Sequence, residues 1–236
     1  VLSVGLAPGL TNLLVSHLQS QFDQLHQTDI YILLGLGEPH GAAAARWTVQ
    51  NLNATYTVRE NGQPRQVTSF GEQRVAHFPA ALGQRSVYRF NIADQHVLTR
   101  TFGLNSVSTW ITFDPVAVTK MMAFMRRTRL SALLRYKWVE ELVVRSSTAI
   151  QYGTETFAIQ VTAQGMQAAN SQTQTAAIVG KGQGRTTGLV TAPTVTHLLT
   201  HELSAGVFHS EQLLEPAPFI KKLTLNGITF YENSGS

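Results

Sequence analysis

Residues 1–18, VLSVGLAPGLTNLLVSHL, and 29–52, DIYILLGLGEPHGAAAARWTVQNL, share one local pattern. An apolar run, Val1 to Leu6 in the first and Ile30 to Leu36 in the second, reaches a turn rich in glycine and proline. A helical pattern follows each turn. Pro8 stands where a first helix would open, a position that tolerates a missing N–H. Leu10, Leu13, Leu14, His17 and Leu18 then recur at helical spacing. Asp29 to Leu36 is almost wholly apolar, as a strand covered on both faces must be. A strand that empties into a turn at a helix start exposes backbone N–H groups, and α/β proteins collect ligand-binding groups there.

The chain further on reads as strands in the middle and helices at both ends. Asn61-Gly62 is a strong hairpin signal between Tyr56 and Phe70. Gly71 to Gln84 reads as a loop, and Arg85 to Asn91 as a strand. Asp94 is placed to cap a short helix over 95–102, and Ser106 to Phe113 alternates like a strand. Pro115 to Val144 is the longest helical stretch, with Met121, Met122 and Met125 as core filler and a break expected at Ser146 to Thr148. Two strands, 157–161 and 176–179, flank a polar stretch at 164–174. Thr187 to Leu203 is helical, with Pro193 kinking it or marking a late start. This order predicts an α+β fold with one mixed, largely antiparallel sheet covered by helices. A single domain over 1–236 is expected, with 1–12 as a junction and 232–236 as a frayed tail.

Composition narrows the function classes. Charged residues make up 14% of the 236, below the roughly 25% of ordinary soluble domains, so part of the surface is expected to be covered. The net charge of +4 is scattered, apart from Arg126, Arg127 and Arg129, and gives no stripe for nucleic acid. There is no cysteine, which removes thiol nucleophiles, disulfides and cysteine-bound zinc. No apolar run reaches the roughly 20 residues of a membrane span, and the start is not a signal peptide. These readings place the chain in the cytoplasm, without a membrane or nucleic-acid partner.

The segment GLAPGLTNLL (5–14), the turn LGLGEPHG (34–41), the helix AAAARWTVQNL (42–52) and YRFNIADQHVL (88–98) resemble the saccharopine dehydrogenase-like family. Members of that family begin with a Rossmann domain for a nicotinamide cofactor, and a second domain closes over the substrate. This chain is similar to the second part only, since it has no N-terminal strand–GxGxxG–helix unit. It also begins on an apolar residue rather than Met, which fits a fragment of a longer protein. The resemblance implies the substrate-binding and dimerisation part of an NAD(P)-dependent oxidoreductase that acts on a C–N bond of an amino-acid-type substrate. It also implies a homodimer, and a cofactor, NAD or NADP, held mainly by the missing domain. The alternative is a non-catalytic ligand-binding or assembly module of the same fold.

On the resemblance, Pro8, Gly9 and Asn12 line the cofactor junction. His40 and His96 are candidate acid/base groups, since an imidazole exchanges protons near neutrality. Each also has a structural reading, His40 as a helix cap and Asp94 as an N-cap beside His96. Glu38, Arg46, Arg89 and Asp94 are candidate substrate contacts, because a guanidinium fork matches a carboxylate. Gly180-Lys181-Gly182-Gln183-Gly184-Arg185 lacks the last glycine of a dinucleotide fingerprint and reads as a glycine-rich hairpin or loop. His197 and His201 are four apart on one helical face, but no third ligand is evident, and no metal site is expected.

Overall fold

A computed structural model describes residues 1–149 and 151–235. The elements in chain order are α1 (Thr11–Gln19), β1 (Gln24–Gly35), α2 (Ala42–Asn51), β2 (Thr55–Glu60), β3 (Gln63–Thr68), β4 (Gln73–Phe78), β5 (Gly83–Arg89), α3 (Asp94–Thr101), β6 (Ser106–Asp114), α4 (Val116–Arg127), α5 (Lys137–Ala149), β7 (Thr156–Gln167), β8 (Asn170–Lys181), α6 (Gln183–Thr200), α7 (Ser210–Leu213), α8 (Pro216–Leu225) and β9 (Thr229–Gly235). Seven strands form one sheet in the order β4-β5-β6-β1-β7-β8-β9. Within it β1 and β6 run parallel, and the other neighbours are antiparallel. The α+β fold and the mixed, largely antiparallel sheet are those the sequence predicts.

β1 is largely buried from Thr28 onward, with Tyr31 and Leu34 half-buried, because it lies inside the sheet between β6 and β7. Its even residues, Ile30 and Ile32, join Leu10, Leu14, Leu18, Leu98 and Phe219 from helices and flanking turns in the main core. Its odd residues, Tyr31 and Leu33, point to the other face. There they meet Ala76, Phe78, Val87, Trp110 and Ala158, a smaller cluster made of strand residues and the turn at Leu82. β6 was expected to alternate, yet Ser106 to Phe113 is buried throughout, because both its faces are covered.

The hairpin β2–β3 turns on Asn61 (φ 52°) and Gly62 (φ 76°), both left-handed, as its two-residue turn requires. It is tied to the start of β6: Asn61 N–H donates to Ser106 Oγ at 2.7 Å, and Gly62 N–H to the Asn105 carbonyl at 2.8 Å.

Several expectations are corrected. Val1 to Leu6 is not a strand; a lone bridge from Leu2 to His209 is its β pairing. Pro8 is extended, Gly9 has φ 138°, and the helix starts at Thr11 rather than at the proline. A Cβ at Gly9 would lie 2.8 Å from the Ser3 carbonyl, so the turn needs a glycine. The supposed loop 71–84 contains β4, an edge strand whose outward residues are Gln73, Val75 and His77. The long helical stretch breaks at Arg129, which is left-handed at φ 62°, whereas α5 runs unbroken through Ser146 to Thr148. The polar stretch 164–174 lies largely in strands: β7 and β8 pair from Thr156 to Gln167 and turn at Ala168-Ala169. Gly180 to Arg185 is neither hairpin nor free loop, because Gly180 and Lys181 close β8 and α6 begins at Gln183. Pro193 sits inside α6 without ending it. The tail expected to fray at 232–236 is paired with β8 through Gly235; Ser236 lies outside the described residues.

Candidate functional site

The β2–β3 hairpin has a cavity on each side. The larger, about 360 Å³, lies between the hairpin and α3, and Thr57, Arg59, Pro64, His96, Thr99 and Arg100 line it. α3 carries Leu98 into the core, which leaves His96, Thr99 and Arg100 towards the hairpin. The His96 ring is half-buried. Its Nε2 lies 2.9 Å from Asn91 Oδ1, and its edge packs on Tyr56 at 5.9 Å between centroids. Asn91 Oδ1 accepts, so Nε2 holds the proton and Nδ1 keeps its lone pair. Burial, and then the Arg100 charge, hold the His96 pKa below the ordinary value. The ring is therefore neutral at pH 7, the form a general base needs. Tyr56 is also half-buried, and burial of its unbonded hydroxyl pushes it up to about 12, so it stays protonated.

The smaller cavity lies on the face whose cluster is built from strands. Arg89 from β5 is 1% exposed there, with its Nε donating to Glu72 Oε2 at 3.0 Å. Its guanidinium lies 4.7 Å from the Trp110 ring, and that of Arg74 lies 4.3 Å from the same ring. Asp29 holds Arg74 at 3.0 Å.

The other sequence candidates lie elsewhere. Asp94 is fully buried at the start of α3, one residue past the cap position. Its Oδ1 accepts from Gln95 N–H at 2.8 Å and from Thr109 Oγ at 2.7 Å, while Oδ2 has no partner. Burial pushes it up to about 6. A side chain so enclosed does not contact a ligand in either cavity. Arg46 lies on α2, and its fork is taken by Glu140 at 3.2 Å and Glu141 at 2.8 Å on α5. Glu38 and His40 follow β1 at its far end. Gln27 and Asp29 of the same strand line the smaller cavity, about 20 Å of strand before Gly35, and His40 lines neither cavity. His40 Nε2 is buried there without a partner. The structure thus brings His96 into a cavity with two arginines, puts Arg89 in a second cavity, and keeps His40 away from both.

Pro8, Gly9 and Asn12 sit at the turn into α1, close to α6: a Cβ added at Gly5 beside them would lie 3.8 Å from Thr187 Cγ2. The α6 N-terminus is the natural seat for a cofactor diphosphate in this region. Glu38 already occupies it: Oε1 accepts from Gln183 N–H at 2.5 Å. A carboxylate at that point repels a phosphate, so the glycine-rich segment 180–185 does not fit a dinucleotide. His197 and His201 stack with rings 4.0 Å apart, and no group of three metal-ligating side chains occurs among the described residues.

Sequence reasoning passed over Arg59, Arg74, Asp29 and Trp110. Arg59 sits next to the Asn61-Gly62 turn, and that proximity was a usable signal. Arg74 fell in the segment read as a loop. Asp29 and Trp110 looked like the start of one strand and the middle of another, and their meeting depends on the parallel register that sets Asp29 against Ser108 and Tyr31 against Trp110.

The fold has a solved counterpart. The apo, histidine-tagged saccharopine dehydrogenase (L-Glu forming) from Saccharomyces cerevisiae superimposes with a TM-score of 0.64 at 11% sequence identity, over 99% of this chain and 73% of that chain. At that identity the likeness is one of fold, and the fold is of the saccharopine dehydrogenase kind. No family model and no curated protein matches the sequence. No helix among the described residues is long and apolar enough to cross a membrane.

Proposed function

We propose that this chain is the substrate-binding part of an NAD(P)-dependent oxidoreductase that acts on a C–N bond of an amino-acid-type substrate. NAD or NADP would be held by another part of the protein, in keeping with the carboxylate that closes the α6 N-terminus. The observation that carries the reading is the neutral His96 in a 360 Å³ cavity flanked by Arg59 and Arg100, in a fold like that of the yeast enzyme. On this reading Arg59 and Arg100 bind substrate carboxylates by charge-assisted hydrogen bonds. The lone pair of His96 Nδ1 takes the proton from the substrate nitrogen, and Asn91 keeps the ring in the required tautomer. Self-association is part of the proposal. It is supported by Met121, Phe124, Leu133, Trp138 and Leu142, which stay exposed along the 116–149 segment.

A calorimetric titration with iminodiacetate, a secondary amine with two carboxylates, tests the pocket. The expected result is millimolar binding that weakens about tenfold in Arg100→Gln. In the protein supplied with NAD⁺ or NADP⁺, which takes the hydride as His96 takes the nitrogen proton, His96→Gln is expected to lower kcat by about 10²–10⁴ with KM nearly unchanged. Because the His96 pKa is lowered, the wild-type rate should stay level from pH 8 to below about 6.5 and then fall. Unchanged turnover in His96→Gln would sink the assignment.

A further inference from the structure

The smaller cavity, about 130 Å³, is a built site that the His96 reading does not use. Three arginines, Arg59, Arg74 and Arg89, and two carboxylates, Asp29 and Glu60, line it. Both Asp29 oxygens are engaged: it accepts from Gln27 at 2.9 Å, from Ser108, and from Arg74. Arg89 is less fully paired. Its Nη2 is buried with no hydrogen-bond partner, and the nearest carboxylate oxygen, Glu60 Oε1, is 3.5 Å away. The other Glu60 oxygen is engaged by Arg65, and Oε1 accepts no hydrogen bond among the described residues. Arg89 Nη2 and Glu60 Oε1 therefore face each other as a loose ion pair at the edge of the cavity, and the buried Nη2 has no hydrogen bond. Buried polar groups are ordinarily hydrogen-bonded, so the orphan Nη2 at a cavity that also holds Glu60 marks a place for a ligand.

The ligand chemistry follows from the lining. A simple anion meets Asp29 and Glu60, and a simple cation meets the arginines. A molecule with a carboxylate at one end and an ammonium at the other satisfies both. A cavity of about 150 Å³ holds one benzene ring, so this one takes about five or six heavy atoms. We propose that the cavity binds a small zwitterion of glycine or alanine size, its carboxylate on Arg89 Nη2 and its ammonium on Glu60 Oε1. Trp110 backs the site, with its Nε1–H donating to Ser108 Oγ at 2.6 Å. That indole proton is a reporter next to the ligand.

The test is a ¹H–¹⁵N titration of the chain with glycine, acetate and methylammonium, following the Trp110 indole resonance. Glycine should shift it saturably in the millimolar range, and each half-ligand should bind about tenfold or more weakly. Glu60→Gln, on the accessible hairpin, should weaken glycine about tenfold with the thermal midpoint held. Acetate binding as tightly as glycine overturns the zwitterion. Absence of any saturable shift, or a glycine shift unchanged in both Glu60→Gln and Arg89→Lys, overturns the site. The larger cavity uses other residues apart from Arg59, so iminodiacetate binding there succeeds or fails separately.

Discussion

The two faces of the sheet are made by the same strands and do different work. On the helix-covered face, alternate residues such as Ile30, Ile32, Val107, Ile111 and Ile159 merge with helix side chains into one large apolar core. Asp94, buried on this side, is bound by a hydroxyl and a backbone N–H. On the opposite face, one residue out of phase, apolar Leu33, Val87 and Trp110 are interleaved with Asp29, Arg74, Arg89 and Ser108. Helix packing demands apolar contact along its whole length, whereas a face closed by strands and a hairpin has room for charged groups in a partly enclosed cavity. The first face carries the main core, and the second leaves room for the smaller, charge-lined cavity.

The largest expected effect tests that division directly. Trp110→Ala removes the fully buried anchor over which two guanidiniums lie, and should cost about 3–5 kcal/mol in urea unfolding. A loss below about 1 kcal/mol would mean that the strand-lined cluster carries little of the fold.

Next comes the buried carboxyl of the helix-covered face. Asp94 has a folded pKa raised from 3.8 to about 6, so the folded state binds the proton more tightly than the unfolded chain. Its contribution is whole below about pH 4 and is lost as pH rises through 6, by about 3 kcal/mol. Asp94→Asn should therefore gain on wild type by about that much between pH 3.8 and 7 in paired denaturation curves. A constant difference across that range would show that Asp94 is not held protonated.

Smaller effects follow at the turns. Gly62→Ala puts a Cβ on a left-handed residue and should cost about 1–2 kcal/mol, loosening the hairpin that walls both cavities. Glu38→Ala should cost about 1 kcal/mol by exposing the α6 N-terminus. The same change should improve phosphate binding there if the carboxylate is what closes that end, and amide shifts of Gln183 on adding phosphate would report it.

Local chemistry was legible in advance where a few adjacent residues settle the backbone. Asn61-Gly62 predicted its hairpin because both positions need positive φ, and the apolar run 29–36 predicted a strand buried on two faces. The placing of His96 beside a cleft was foreseen only as one possibility, because α3 can be phased from its own residues but the hairpin across from it cannot. Arg129 as a helix break was not legible, since a left-handed arginine is set by how 130–135 packs and not by propensity. Nor was the 164–174 strand pairing, where polar residues are carried by partners on both sides of the sheet.

The sequence by itself determined the α+β class, the hairpin turn, the helix at 42–51 and the chemistry at hand: imidazole, guanidinium and carboxylate, with no thiol. Periodicity and turn preference act within a few residues, and these features need no more. Only the tertiary structure decided that His40 and His96 lie apart, that Glu38 closes the α6 N-terminus, and that Arg89 meets Arg74 over Trp110. Each depends on strand pairings between residues far apart in sequence: Leu34 with Phe157 and Thr156 with Lys181 bring Glu38 to Gln183, and Arg89 with Trp110 and Arg74 with Val87 bring both guanidiniums over the indole. Register is set by which faces are buried across the whole sheet, and no local stretch contains that information.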